Sequence, residues 1–222
     1  MSNYFKKVPN FEYVSRISDG KKISDYITVK NLFKRGKLKD DIFNDLTFFT
    51  KYQIKGDDRP DNVAFDVYDD ETLDWVVLLT NNILNIQTEW PLPHVAFNNY
   101  LLNKYDSEEN IHNVHHYETI EVKNSRGIIV LPKGLEVAEN YSFEFYDSFL
   151  GTYTTASNIT TAVTNFEYEN KIENNKRNIF ILKGKYVGVV MNDMDEIMPY
   201  KEGSTQYVSR TLTKGENIRL YY

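Results

Sequence analysis

No part of the chain leaves fewer folding options than residues 52–82, where period-two apolar spacing gives way, across a Gly-Asp break, to helical spacing. Residues 48–54 are rich in β-formers. Tyr52 and Ile54 alternate with Lys51, Gln53 and Lys55, which predicts a half-buried strand. Gly56-Asp57-Asp58 ends it. Arg59-Pro60-Asp61 then opens a helix: Asp58 is placed to cap, Pro60 fits the first turn, and Asp61 suits the positive end of the helix dipole. Val63, Ala64 and Val67 give that helix one apolar face. Tyr68-Asp69-Asp70-Glu71 breaks the chain again. A second helix is predicted over about 72–80, with Leu73, Val76, Val77 and Leu79 inward and Trp75 as a core anchor. Asn81-Asn82 stops it, since asparagine tolerates the left-handed C-terminal conformation.

The flanks carry weaker signals. In residues 1–45 large apolar side chains are too sparse to close around, so an arm is expected. Val8-Pro9 and Asp19-Gly20 read as turns; Ile23, Tyr26, Ile27 and Val29 suggest a short extended segment. Leu32, Phe33, Leu38, Ile42 and Phe43 anchor a stretch that is basic and then acidic. Trp90-Pro91-Leu92-Pro93 forms a stiff loop ahead of a helix over about 94–104. From Tyr117 onward, residues 119–123, 127–131, 141–146 and 151–155 read as short antiparallel strands. Residues 167–173 are predicted helical and 177–182 form an apolar strand. A last amphipathic helix spans 185–198, with Val187, Val190, Met191, Met194 and Ile197 on one face; Gly188 costs it about 1 kcal/mol relative to alanine. The tail from Pro199 reads as an extended arm ordered by a partner. The fold class is therefore α+β. The expected divisions are an N-terminal arm (1–46), a central βαα(β) module with its following helix (47–105), a small antiparallel β region (106–165), and a helix–strand–helix unit with a tail (166–222).

Composition narrows the function classes. Hydrophobic residues make up 41% and charged residues 26%, as in ordinary globular domains. The 17 Tyr and 13 Phe supply side chains favoured at protein interfaces, and an A/T-biased genome would enrich the same residues. A net charge of −6 argues against a general nucleic-acid binder. Without cysteine there is no disulfide framework, zinc–thiolate site or thiol nucleophile. Residues 1–7 lack the apolar core of a signal peptide, and no apolar run approaches the roughly 20 residues of a membrane span. Synthesis and use without secretion or membrane insertion are expected.

Two clusters invite chemistry. His112, His115 and His116 stand at i, i+3 and i+4, a spacing that on one helical face suits Zn²⁺ or Ni²⁺. Their segment is short, has no evident carboxylate partner and precedes a strand, so polar or stacking roles near an interface are preferred. The acidic groups Asp57-Asp58, Asp69-Asp70-Glu71 and Asp193, Asp195, Glu196 offer carboxylates that a glycosidase pair would need. Two of these groups sit at helix starts, where a carboxylate has an electrostatic reason to be, and the third is expected on the solvent face of the last helix. No Ser–His–Asp, phosphate-loop or metalloprotease motif appears. No catalytic, cofactor-binding or metal-binding residue is assigned.

Strand, Gly-Asp, helix, Tyr68, and a helix carrying Trp75 and ending in Asn81 make the outline of a LysM domain. Gly56-Asp57-Asp58-Arg59-Pro60-Asp61, then Leu73-Asp74-Trp75-Val76-Val77-Leu78-Leu79 and Asn81-Asn82, resemble one branch: the LysM-bearing baseplate wedge proteins of T-even-like contractile-tailed phages, cyanophage relatives included. An ordinary LysM domain has Thr after Gly-Asp, where this chain has Asp58. The resemblance continues through Trp90-Pro91-Leu92-Pro93, Ile111-His112, His115-His116-Tyr117-Glu118-Thr119, Lys176-Arg177-Asn178-Ile179-Phe180 and Ile197-Met198.

The resemblance implies a structural subunit of the tail baseplate, present in multiple copies per baseplate and assembled in the host cytoplasm. Such a subunit joins wedge proteins and promotes association of neighbouring wedges, with no cofactor and no turnover. Candidate interface residues are Arg59, Pro60, Asp61, Trp90, Pro91, His115, His116 and Tyr117; Trp90 is expected to be a loop anchor whose loss spares the isolated fold. The alternative is a peptidoglycan or N-acetylglucosamine-binding module, whose groove would use Gly56, Asp57, Asp58, Asn81, Asn82 and Ile83. The altered Gly-Asp-Asp turn disfavours it, and fold alone does not assign a ligand.

Overall fold

The computed structural model describes residues 4–14, 26–203 and 206–215. The turn expected at Asp19-Gly20, the extended segment's Ile23 and the end of the tail lie outside these residues. In chain order the elements begin with α1 (Tyr4–Lys7), β1 (Asn10–Val14), β2 (Tyr26–Lys30), α2 (Asp40–Phe43), β3 (Phe49–Gln53), α3 (Pro60–Tyr68), α4 (Asp74–Thr80) and α5 (Ile86–Glu89). Next come α6 (His94–Tyr105), α7 (Glu108–Ile111), β4 (Val114–Thr119), β5 (Val122–Lys123), β6 (Ile129–Leu131), β7 (Glu136–Val137), β8 (Phe143–Asp147), β9 (Thr152–Ala156) and β10 (Thr160–Thr164). The chain closes with α8 (Asn165–Lys176), β11 (Asn178–Leu182), α9 (Val187–Ile197), β12 (Tyr207–Ser209) and β13 (Leu212–Lys214). This is a mixed α+β protein built on small sheets. Its contacts separate two compact units, one from 1–90 with 178–222 and the other from 91–177.

In the first unit β3 pairs antiparallel with β11, from Phe49 opposite Leu182 to Gln53 opposite Asn178. Helices α3 and α4 supply the apolar partners of this ribbon. Val63, Ala64, Val76 and Val77 are fully buried and share a core with Phe49, Ile54, Ile179, Ile181 and Leu182. Helix α3 begins at Pro60 as expected, but its N-cap is Arg59, whose side chain makes no capping bond, rather than Asp58. It ends at Asp69 in the left-handed conformation (φ 58°), whose N–H reaches the Phe65 carbonyl at 2.9 Å. Asp70 then accepts from the Thr72 amide at 2.9 Å, and a 3₁₀ turn over Glu71–Leu73 leads into α4. At the far end Asn81 does more than stop the helix. Its amide donates to the Val77 and Phe180 carbonyls, each at 2.8 Å, and its side-chain oxygen accepts from the Phe180 N–H at 2.8 Å. Asn81 thus serves the backbone of β11 as a strand neighbour would.

The expected arms contribute to this same unit. Val8, Leu38 and Ile42 are buried in its core, alongside Val190, Met194 and Met198 from α9 and the turn after it. Gly36 passes so close to Met194 that a Cβ there would overlap the thioether. The Tyr4 ring lies 5.8 Å from that of Trp75, and its hydroxyl accepts from the Gly36 N–H. Lys7 and Lys39 pair with Asp195 and Asp193, both at 2.5 Å, so the acids of α9 are not a purely solvated face. The described tail is not a loose extension either. β12 and β13 form a hairpin, and β13 runs parallel to β1, which is antiparallel to β2, giving the order β12-β13-β1-β2. A segment with few apolar residues cannot close a core alone, but it can seal one that exists.

The second unit has its own apolar cluster of Phe97, Leu101 and Ile111, with Leu92, Tyr105 and Phe166 packed on it. Helix α8 opens with a full capping box between Thr164 and Glu167. Its buried Glu169 accepts from Lys104 (2.5 Å), the Tyr105 hydroxyl (2.9 Å) and the Tyr100 hydroxyl (3.2 Å). Burial pushes the Glu169 carboxyl up, but the bonds from Lys104 and Tyr105 outweigh it and hold the group below the usual range. Glu173, one turn on, accepts from the Leu92 N–H and from Lys176. Of the expected strands, 119–123 splits into β4 and β5, and 127–131 shortens to β6 because residues 124–127 turn. β7 and β10 flank β4 and were not anticipated.

Candidate protein-docking surfaces

The structure distributes the sequence-derived interface residues over both units. At the start of α3, Pro60 is buried, while Arg59 and Asp61 form an exposed ion pair at 3.2 Å. Beside them a hollow of about 410 Å³ is lined by Asp58, Asp61, Asn62, Phe65, Asp66 and Glu71. Trp90 requires a correction. Only 5% exposed, it belongs to the core of the first unit, and its indole N–H donates to the Asp58 carbonyl at 3.0 Å. Pro91 is buried as well. The prolines that follow mark a loop, but the aromatic ring at its start turns inward, where its large apolar face is worth most.

His115, His116 and Tyr117 lie together on β4 in the second unit. His112 instead ends α7, so the three histidines share no helical face. The His115 ring stacks on Tyr168 at 4.0 Å, nearly parallel, and its Nδ1 faces Nδ1 of His116 at 2.9 Å. Nε2 of His116 lies 3.3 Å from Glu118, which also takes Lys171 at 2.7 Å. The Lys171 bond is the main reason the Glu118 carboxyl sits below the usual range. A hydrogen bond to Glu139, with burial, pushes the Tyr117 hydroxyl up. His115 thus stacks and His116 hydrogen-bonds, and Glu118 is a carboxylate partner that the sequence did not make evident.

The six groove positions of the glycan alternative are variously engaged. Gly56 holds φ +48°, a turn requirement, and the Asp58 carbonyl accepts the Trp90 indole. The Asn81 amide is committed to β11, and Asn82 adopts the left-handed conformation that ends α4. Ile83 lines an apolar hollow of about 610 Å³ with Tyr4, Phe5, Trp75, Leu78 and Leu84. Asp57 lies exposed beside Gly56.

The turns of the second unit hold functional candidates that no motif in the sequence marks. Asp147, at the end of β8, is almost fully buried, and its carboxylate accepts from the amides of Ser125 (3.0 Å), Phe149 (2.9 Å) and Leu150 (3.4 Å). Asn124 organises the neighbouring turn the same way, accepting from the Arg126 and Ile128 amides. The signal was available: Phe149 and Leu150 stand at the centre of a turn, where polar residues are the rule. Bonds from Ser125, followed by those from Phe149 and Leu150 and opposed by burial, hold the Asp147 carboxyl down at about 2. A depressed folded value stabilises the turns above the ordinary value of 3.8, and the effect is lost as pH falls toward about 2. Amide exchange should therefore show protection of Ser125, Phe149 and Leu150 decaying through that window. Protection that is flat across it would refute the role given to Asp147.

The family described as base plate wedge protein 53 matches residues 4–197 of the chain. No curated protein matches it.

Proposed function

This chain belongs to the base plate wedge protein 53 family, and we propose that it joins wedge proteins to one another and promotes association of neighbouring wedges during tail assembly. Membership makes it a structural protein of the phage tail baseplate, a part of the virion. The finer role rests on the family match across nearly the whole described chain. Supporting it are large apolar side chains left exposed in both units, Phe33 at 99% and Tyr153 at 72% foremost. The proposed role involves several copies per baseplate, assembly in the host cytoplasm, and neither nucleic acid, membrane, cofactor nor catalytic turnover.

Within this reading β3, α3, α4 and β11 act as a LysM-like βααβ scaffold turned to protein contacts. The element order and the antiparallel β3–β11 pair support the likeness. The engagement of Asn81 and of the Asp58 carbonyl supports a scaffold over a sugar groove.

Sedimentation of the purified chain mixed with the other wedge proteins of the same baseplate tests the role. A complex larger than any component is expected, and its absence with every partner would overturn the reading. A chitooligosaccharide pull-down separates the alternative. No retention is expected; retention abolished by Asp58→Ala or Asn82→Ala would favour the glycan module.

A further inference from the structure

We propose that the paired turns of the second unit, carrying Arg126, Phe149 and Leu150, form a preorganised docking tip. Its partner is another wedge protein presenting an apolar pocket edged by a carboxylate. The proposal deepens the wedge-joining reading and rests on it.

Three observations carry it. Phe149 and Leu150 are 62% and 57% exposed, side by side at the centre of the β8–β9 turn, and Tyr146 and Tyr153 extend the apolar surface down the hairpin. Two neighbouring large apolar side chains at a turn centre gain nothing from water. Second, the turns are held by hydrogen bonds. Asp147 holds the amides of both tip residues and reaches across to Ser125, while the Gly151 N–H donates to the Asp147 carbonyl at 2.8 Å. A tip already fixed in its bound shape loses little conformational entropy on docking. Third, the Arg126 guanidinium lies 5.3 Å from the centre of the Phe149 ring. Among the described residues no carboxylate lies within ion-pair distance of it. A cation stacked on an exposed aromatic ring and still lacking an anion specifies its partner: an apolar cleft for the ring and Leu150, with an Asp or Glu at the rim. The net charge of −6 disfavours a second copy of the chain docking broadly face to face.

The full chain, the double variant Phe149→Ser/Leu150→Ser and the single variant Arg126→Glu are each titrated against the individual purified wedge proteins by sedimentation. Thermal unfolding of each variant alone serves as the folding control, and unchanged midpoints are expected because the substituted side chains are exposed. Against one wedge protein the double variant should lose at least about tenfold in affinity, as central interface anchors do. Arg126→Glu should lose a comparable factor at low salt and less at high salt. If the unaltered chain binds and both variants bind equally well, the docking tip is refuted while the wedge-joining role stands. If the unaltered chain binds none of the wedge proteins, the role itself fails and the tip with it. Self-association of the chain alone, abolished by the double variant, would replace the proposed partner with a second copy and overturn the proposal.

Discussion

Replacing Trp90 with alanine is expected to destabilise the isolated chain by about 3–5 kcal/mol, the range for truncating a buried tryptophan. The side chain is almost wholly removed from solvent and packed in the core with Ile54, Val63, Trp75 and their neighbours. Truncation leaves a cavity that this core can collapse into only in part. It also removes the donor to the Asp58 carbonyl, a bond worth about 1 kcal/mol, which water recovers in part because Asp58 is itself half-exposed. At about 2–4 °C per kcal/mol for a protein of this size, the unfolding midpoint should fall by roughly 10 °C. Trp75 remains as the fluorescent reporter. Trp90→Phe should recover most of the packing and none of the hydrogen bond. A midpoint unchanged by Trp90→Ala would show that the ring is not core. If stability falls as expected, any assembly defect of this variant reports unfolding first, so the exposed Arg126, Phe149 and Leu150 are the better probes of docking.

Trp90 marks the limit of what local sequence discloses about this fold. Pro91 and Pro93 identify a loop, and nothing local states whether a loop aromatic turns inward. The centre was legible because its signals are local. The β-forming residues of β3, Pro60 at the head of α3, and the apolar positions of α4 each act within a few residues. The strand character of β11 is equally plain, but residues 91–177 separate it from its partner β3 along the chain, and no periodicity encodes that pairing. The termini illustrate the same limit. Val8, Leu38 and Ile42 are too few to suggest a core, yet each is buried because α9 and the helical pair already provide one. Contact between β1 and β13 joins nearly opposite ends of the described chain. In the second unit, β7 is only Glu136-Val137 and β10 is mostly small or hydroxylated, so neither announces itself without β4 beside it. Asn81 looked like a helix stop and is one; its second task, serving β11, depends on a strand far along the chain.

That long-range closure leads to the second large effect. Leu182→Ala should cost about 3–5 kcal/mol, since Leu182 is fully buried where β11 meets β3 and the helical pair. Its carbonyl receives the Tyr68 hydroxyl at 2.8 Å, and burial pushes that hydroxyl far above its ordinary value. Tyr68 ends α3, so a cavity at Leu182 loosens the strand–helix junction as well as the sheet. The loss should be confined. The cluster of Phe97, Leu101 and Ile111 draws its partners from the second unit alone, and Glu169 ties α8 to α6 within that unit. Hydrogen exchange of the variant should therefore show lost protection at Val63, Val76 and Val77, while amides of α6 and α8 keep theirs. Equal losses in both sets would mean that the two units unfold as one, and that the discontinuous strand closes the whole molecule rather than the first unit alone.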